Sequence, residues 1–254
     1  MKAGGPVTAN PWAHLRMHTP ARIALGRAGP ALPTREVLAF GLAHARARDA
    51  VHETLDVQAL ESALAAAGYA PLHVQSAAPD RATYLTRPDL GRRLDDQSAQ
   101  KLVTTQPPAQ IAIAIGDGLS AVAVQRHVPL LLLALRSVSS DRWARVPIVV
   151  ARQARVALGD QIGERLGARL IVMMIGERPG LSSPDSLGLY ITYSPRIGRT
   201  DAERNCISNV RPEGLGYAAA AAKLDWLVVE SLRRGVTGTA LKDDSAPAKG
   251  AITE

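Results

Sequence analysis

The sequence is 254 residues long, which at roughly 150 residues per domain allows one or two domains with a full hydrophobic core and no dependence on disulfides or metals. Hydrophobic residues make up 46% and charged residues 21%, so an ordered globular body is expected, while an aromatic share of 4% with one Phe leaves the packing to Ala, Leu, Val and Ile. A single cysteine, Cys206, excludes an intramolecular disulfide and any cysteine-cluster zinc or iron–sulfur site, and fits a reducing compartment.

The formal charge of +7 raises nucleic acid as a partner, and its distribution argues against one. Residues 1–50 hold Lys2, Arg16, Arg22, Arg27, Arg35, Arg46 and Arg48 against Glu36 and Asp49, a local +5, and the rest of the chain is nearly balanced. These cations are scattered among Ala, Leu and Pro, and nearly all are Arg, which suits ion pairs and bidentate interface contacts better than sliding on phosphate. With few aromatics to stack on bases, no nucleic acid is expected. The longest apolar run, Val128 to Leu135, falls short of the roughly 18 to 20 residues that cross a bilayer, and MKAGGPVTANPW has no apolar stretch of the kind a secretory signal needs. No membrane is expected as a partner, and the cytoplasm is the expected location.

An irregular basic segment occupies residues 1–33. Thr34 is then placed to cap a helix over VLAFGLAHARARDAVHETL, and Asp56 to cap a second over VQALESALAAAGY that Gly68 stops, together a helical hairpin. His44, Arg48 and His52 fall four apart on one face of the first helix. No ligand set is completed around them, so a solvated or subunit-contacting face is expected and metal ligands are predicted to be none. YLTRPDLGRRLDDQSAQKL reads as an extended stretch, a turn at Arg87-Pro88-Asp89 and a helix, and the QPP at 106–108 breaks the pattern. That break divides a helical domain over 34–108 from a second domain over 109–254.

From Ile111 short apolar strands end in glycine-containing turns and lead into helices: IAIAIGDG into LSAVAVQRHV, PIVVA into ALGDQIGERLGA, and ARLIVMMIGERPG into a loop. This alternation predicts a parallel sheet. LGLYITY adds a strand, and YAAAAAKLDWLVVESLRRG forms a last helix with Leu224, Leu227, Val228 and Leu232 on one stripe, ending at Gly235.

Ligands of open α/β sheets bind beyond the carboxyl ends of the strands, here Gly116-Asp117-Gly118 and Gly176-Glu177-Arg178-Pro179-Gly180. GDGLSA lacks the third glycine of a dinucleotide fingerprint, and no Lys-Ser/Thr follows GERPG, so each fits a tight strand-end turn as well as a ligand loop. There is no nucleophile elbow, no HExxH, and no Cys or Ser in a motif with a His base, and all six histidines precede residue 128. Catalytic residues are predicted to be none, which points to an accessory, ligand-binding subunit. A self-sufficient nucleotide-binding enzyme and a basic nucleic-acid adaptor are the competing readings.

The strings ARIALGRAG, YLTRPDLGRRL, GDGLSA, RVALGDQIGE, IGERPGLSSPDSLGLYITYSPRIGRTDAERNCISN and TALKD, in this order from about Asn10 to Asp244, closely resemble the small (light) subunit of ethanolamine ammonia-lyase. The resemblance implies an α/β fold with a helical N-terminal part followed by a Rossmann-like, mostly parallel sheet domain. It implies a subunit of the adenosylcobalamin-dependent enzyme that turns ethanolamine into acetaldehyde and ammonia. The large subunit would supply the catalytic barrel, cobalamin would lie between the subunits, and pairs would assemble into a hetero-oligomer. Family members that enter a bacterial microcompartment tend to carry a longer N-terminal extension, whereas ten residues precede Pro11 here, so encapsulation stays an open expectation beside the cytoplasm.

Carried onto this sequence, the family's cobalamin contacts fall at Val156 in RVALGD, Glu177 in IGERPGL and Cys206 in NCISN. A corrin suits them: its rim amides can donate to Glu177 and to carbonyls, and its apolar edge can pack on Val156 and a soft thiol. The competing readings are core packing for Val156, a capping or ion-paired surface carboxylate for Glu177, and a small buried hydrophobe for Cys206.

Overall fold

The fold, taken from a computed structural model, is described for residues 7–103 and 108–245. In chain order the elements are α1 (Thr34–His52), α2 (Val57–Ala66), β1 (Leu72–Gln75), α3 (Arg81–Thr86), α4 (Asp96–Lys101), β2 (Ile111–Gly116), α5 (Ala121–Val138), α6 (Ser140–Trp143), β3 (Ile148–Arg152), α7 (Leu158–Leu166), β4 (Leu170–Gly176), β5 (Leu187–Tyr193), β6 (Asn205–Val210) and α8 (Tyr217–Arg234). The strands form one sheet in the order β1-β3-β2-β4-β5-β6. The first four are parallel, and β5 and β6 continue antiparallel.

Alternation along the strands divides the core in two. Ile111, Ile113 and Ile115 of β2 point into a large cluster with α5, α8 and Leu60 and Leu64 of α2, while Ala112 and Ala114 point into a second cluster with α4 and α7. Every residue of β2 and β4 is buried, as expected for parallel strands covered on both faces. Small residues set the α7 side: a Cβ on Gly159 would come 3.1 Å from Met173 Cβ, and one on Gly163 would press on Ile171 and Pro195. By length and apolarity α5 is one helix that could cross a membrane. Eight of its residues are buried between the sheet and α8, while Leu130, Leu133 and Val138 are exposed.

Capping residues start α2, α3, α4 and α5: Asp56, Asp80, Asp95 and Ser120 each accept a backbone N–H three positions on. Gly68, Gly167 and Gly235 end helices at positive φ. Four local expectations change. Thr34 is the first helical residue and Pro33 precedes it with no side-chain cap. Tyr84-Leu85-Thr86 is helical, because the Asp80 cap starts α3 upstream of it. LHVQ and NCISNV, for which no strand is predicted, form β1 and β6. Both are sheet-edge strands too short or too polar to show an apolar run. β1 belongs to the 34–108 segment and pairs with β3, so the sheet takes one strand from before the QPP break, of which Gln106 and Pro107 lie outside the described residues.

Candidate functional site

Chains leaving β2 and β3 turn to opposite faces of the sheet, α5 to one and α7 to the other, which creates a crevice at their carboxyl ends. That crevice is filled from within. Asp117 is turned inward and its carboxylate accepts Gln153 N–H and Ala154 N–H, each at 3.0 Å. Arg81 of α3 reaches across, donating to Gly118 O and Val51 O at 2.8 Å each and lying 3.7 Å from Asp117. Burial pushes the Asp117 carboxyl up, against the pull of those two N–H groups and Arg81. The two glycine turns also lock together: Leu119 N–H donates to Gly176 O at 3.0 Å, and a Cβ on Gly118 or Gly176 would run into the other turn's backbone. Asp117 is thus a structural tie, and only Gly118 and Leu119 of its turn reach the surface of the site.

The open space lies one loop over. Two clefts, of about 620 and 380 Å³, share Arg155, Val156 and Tyr190. The larger extends to Arg92, Arg93 and the turn at 197–201, the smaller to Glu177 and Arg178. Their common wall is rigid. Arg155 and Arg81 both lie over the Tyr84 ring, 4.2 and 4.8 Å from its centre, the Tyr84 hydroxyl donates to Ala154 O at 3.0 Å, and Arg155 donates to Tyr84 O at 3.2 Å. Burial holds the Tyr84 phenol well above its ordinary value.

A second surface meets these clefts from the sheet itself. α7 covers β2 and β4, but on the same side β6 stays open and β5 is half-buried at Tyr190: Cys206 and Ser208 are exposed while Ile207 between them is buried. Cys206 pairs across strands with Tyr190, and its thiol lies 3.3 Å from Ser208 Oγ. Burial, reinforced by Cys206 and Glu177, pushes the Tyr190 phenol up. Glu177 stands at the end of β4 where one carboxylate oxygen, Oε2, accepts the Ser186 hydroxyl and Asn209 N–H. The other, Oε1, has no partner among the described residues and lies over Gly188, where a Cβ would come within 2.9 Å of it.

Val156 and Glu177 therefore share one cleft, and Cys206 joins them through Tyr190. Val156 is half-buried against the α7 cluster as well as lining both clefts. Glu177 takes part in no ion pair among the described residues, and Cys206 is exposed and not a packed hydrophobe. Beneath the larger cleft, the buried Arg204 binds Asp160, Asp201 and the carbonyl of Arg199, while burial raises the Asp160 carboxyl against Arg204. Sequence reasoning did not reach Tyr190, Arg155, Arg92 or Arg93. Arg155 adjoins Val156, but Tyr190 reads only as a strand residue until β6 is known to lie beside it.

Comparison with known proteins gives the family. A model of the family described as Ethanolamine ammonia-lyase light chain (EutC) matches residues 9–242. The ethanolamine ammonia-lyase small subunit of Ralstonia nicotianae is 59% identical over 93% of this chain and 90% of its own length. That of Azotobacter vinelandii is 55% identical over 98% and 94%, and that of Pseudomonas fluorescens strain Pf0-1 is 55% identical over 93% and 88%. The chain belongs to the ethanolamine ammonia-lyase light-chain family and is the small subunit of an ammonia-lyase.

Proposed function

We propose that this chain, as the small subunit of an adenosylcobalamin-dependent ethanolamine ammonia-lyase, forms one wall of a corrin site that the large subunit completes. The observation that carries the reading is that Val156 and Glu177 line one cleft at the strand ends with Tyr190 between them, and that Cys206 is exposed on the next strand beside Tyr190. The residues fit a corrin edge: Val156 and the Tyr190 ring offer apolar contact, and the free Oε1 of Glu177 can accept an amide N–H from the ring's rim. When bound, adenosylcobalamin supplies the radical chemistry by homolysis of its cobalt–carbon bond. The chain's own part is to bind and orient. No described Ser or Cys is hydrogen-bonded to a His that could act as its base, and the buried His127 is bonded to Tyr217 and to the carbonyl of Asp185, each at 2.8 Å.

The large subunit is the expected partner at a second surface. Along α1, Val37, Leu38, Phe40 and Leu42 are exposed, more apolar surface than a solvated helix needs, and Arg22 lies over the Phe40 ring at 5.7 Å. An exposed apolar helix surface with an arginine over its one Phe suits burial in a hetero-oligomer. Purification with the large subunit, followed by a visible spectrum and an ethanolamine assay, tests the reading. The complex should take up corrin and turn over ethanolamine while the isolated chain does not. Turnover by the isolated chain would overturn it.

A further inference from the structure

We propose that Arg92, Arg93 and Arg155 form a phosphate subsite, and that its occupant is the phosphodiester of the cobalamin nucleotide loop; this rests on the corrin reading above. The three arginines line the larger cleft. Its two acidic side chains, Asp160 and Asp201, are both taken up by Arg204, and Arg199 by Glu203. Arg92, Arg93 and Arg155 make no ion pair among the described residues. Arg155 Nε is buried without a hydrogen-bond partner, an uncompensated donor that a bound anion would satisfy.

The cluster is built, not accidental. Arg155 N–H donates to Gly91 O at 2.8 Å, which fastens the 90–93 turn to the β3–α7 loop. A Cβ on Gly91 would come 2.9 Å from Arg155 Cγ and 3.0 Å from the Tyr84 ring, so the turn packs directly on Arg155, and Arg92, the next residue, lines the same cleft. Leu94 N–H donates to Gln161 at 2.7 Å and Ala77 N–H to Arg93 O at 2.8 Å, fixing the turn from its other end. α7 starts in the same cleft wall with no side-chain cap at Ala157, so its positive end adds to the field of the guanidinium groups. Such a set of planar donors suits a tetrahedral oxyanion. A corrin's rim carries neutral amides, and the cofactor's one phosphodiester is the anionic group that would match.

The test uses the complex of the full chain with its large subunit, titrated by visible absorbance with cyanocobalamin and with dicyanocobinamide, which lacks the phosphodiester and nucleotide. Arg92 and Arg93 are exposed, so the double variant R92Q/R93Q keeps the fold. It should weaken cyanocobalamin binding by about tenfold or more and leave cobinamide within about twofold. Added salt should weaken cyanocobalamin more than cobinamide in the native complex. Equal losses for both corrins, or no loss for either, overturn the assignment. Inorganic phosphate separates the two sources: if R92Q/R93Q abolishes phosphate binding but keeps cyanocobalamin affinity, the cleft takes free phosphate and the nucleotide-loop assignment falls. If the native complex binds neither corrin, the cofactor reading itself fails and takes this assignment with it.

Discussion

The two halves of the sheet differ in what covers them. β1, β3, β2 and β4 run parallel, and at β2 and β4 no residue reaches solvent. β5 and β6 run antiparallel, and β6 alternates two buried positions, Ile207 and Val210, with exposed or half-buried ones. At β2 and β4 the parallel half leaves no face for a ligand, and its strand-end crevice is plugged by Asp117 and Arg81. In the antiparallel half β6 exposes Cys206 and Ser208, and the candidate contacts gather along the border between the halves: Val156 in the β3–α7 loop, Glu177 at the end of β4, and Cys206 on β6.

The comparison is sharpest for a residue deep on the parallel side. Trp143 is fully buried, with its indole N–H on Asp225 at 2.7 Å and its carbonyl accepting the Tyr69 hydroxyl at 2.8 Å. Trp143→Ala should lower unfolding free energy by about 3–5 kcal/mol in a denaturant melt. An equal loss from Cys206→Ala would erase the distinction between the halves.

Glu177→Gln should cost about 1–3 kcal/mol of corrin affinity in the assembled complex, read by absorbance titration. Unchanged affinity would remove Glu177 from the site. On α1, Leu38→Glu should weaken association with the large subunit by about tenfold, or roughly 1.4 kcal/mol, measured by light scattering, while the melt of the isolated chain barely moves. An intact oligomer would place the docking surface elsewhere.

Acid should act late on the rim of the larger cleft. The Thr200 backbone N–H of the capping box and then Arg199 hold Glu203 at about 2, well below an ordinary carboxyl. A depressed acid stabilises the fold above its ordinary pKa, so this contribution is present above about pH 4.5 and is lost as pH falls toward 2. Hydrogen exchange at residues 199–204 should rise across that window, and Glu203→Gln should remove the dependence. The smallest effect belongs to Cys206→Ala. Its stability should stay within about 0.5 kcal/mol of native, with turnover at saturating cofactor within about tenfold and more cofactor required. Alkylation of the exposed thiol should slow when corrin binds; equal rates with and without it would place Cys206 outside the interface.

Much of the parallel half was legible in the chain because burial on both faces leaves a mark on every residue. IAIAIG and LIVMMIG are continuous apolar runs, and the strand-to-helix turns and, ahead of the sheet, the Asp56 cap follow at the expected places. The α7 helix ends at Gly167 and α8 at Gly235, as glycine after an amphipathic run predicts. The site contacts came from motif resemblance, not from periodicity, since an isolated Val, Glu and Cys carry no local signal.

Sequence by itself therefore determined most of the elements, the fold class and the family, because local propensity, alternation and long ordered motifs are properties of neighbouring residues, but not the edge strands β1 and β6. Tertiary structure alone decided the rest. It turned the Gly116-Asp117-Gly118 loop into an internal tie, since whether a carboxylate faces solvent depends on what Gln153, Ala154 and Arg81 bring to it. It put Tyr190 beside Cys206 and Arg92 beside Arg155, because strand register and loop-to-loop hydrogen bonds join residues that lie 16 and 63 positions apart in the chain. Those pairings depend on how distant surfaces exclude water together, and no short window of sequence encodes them.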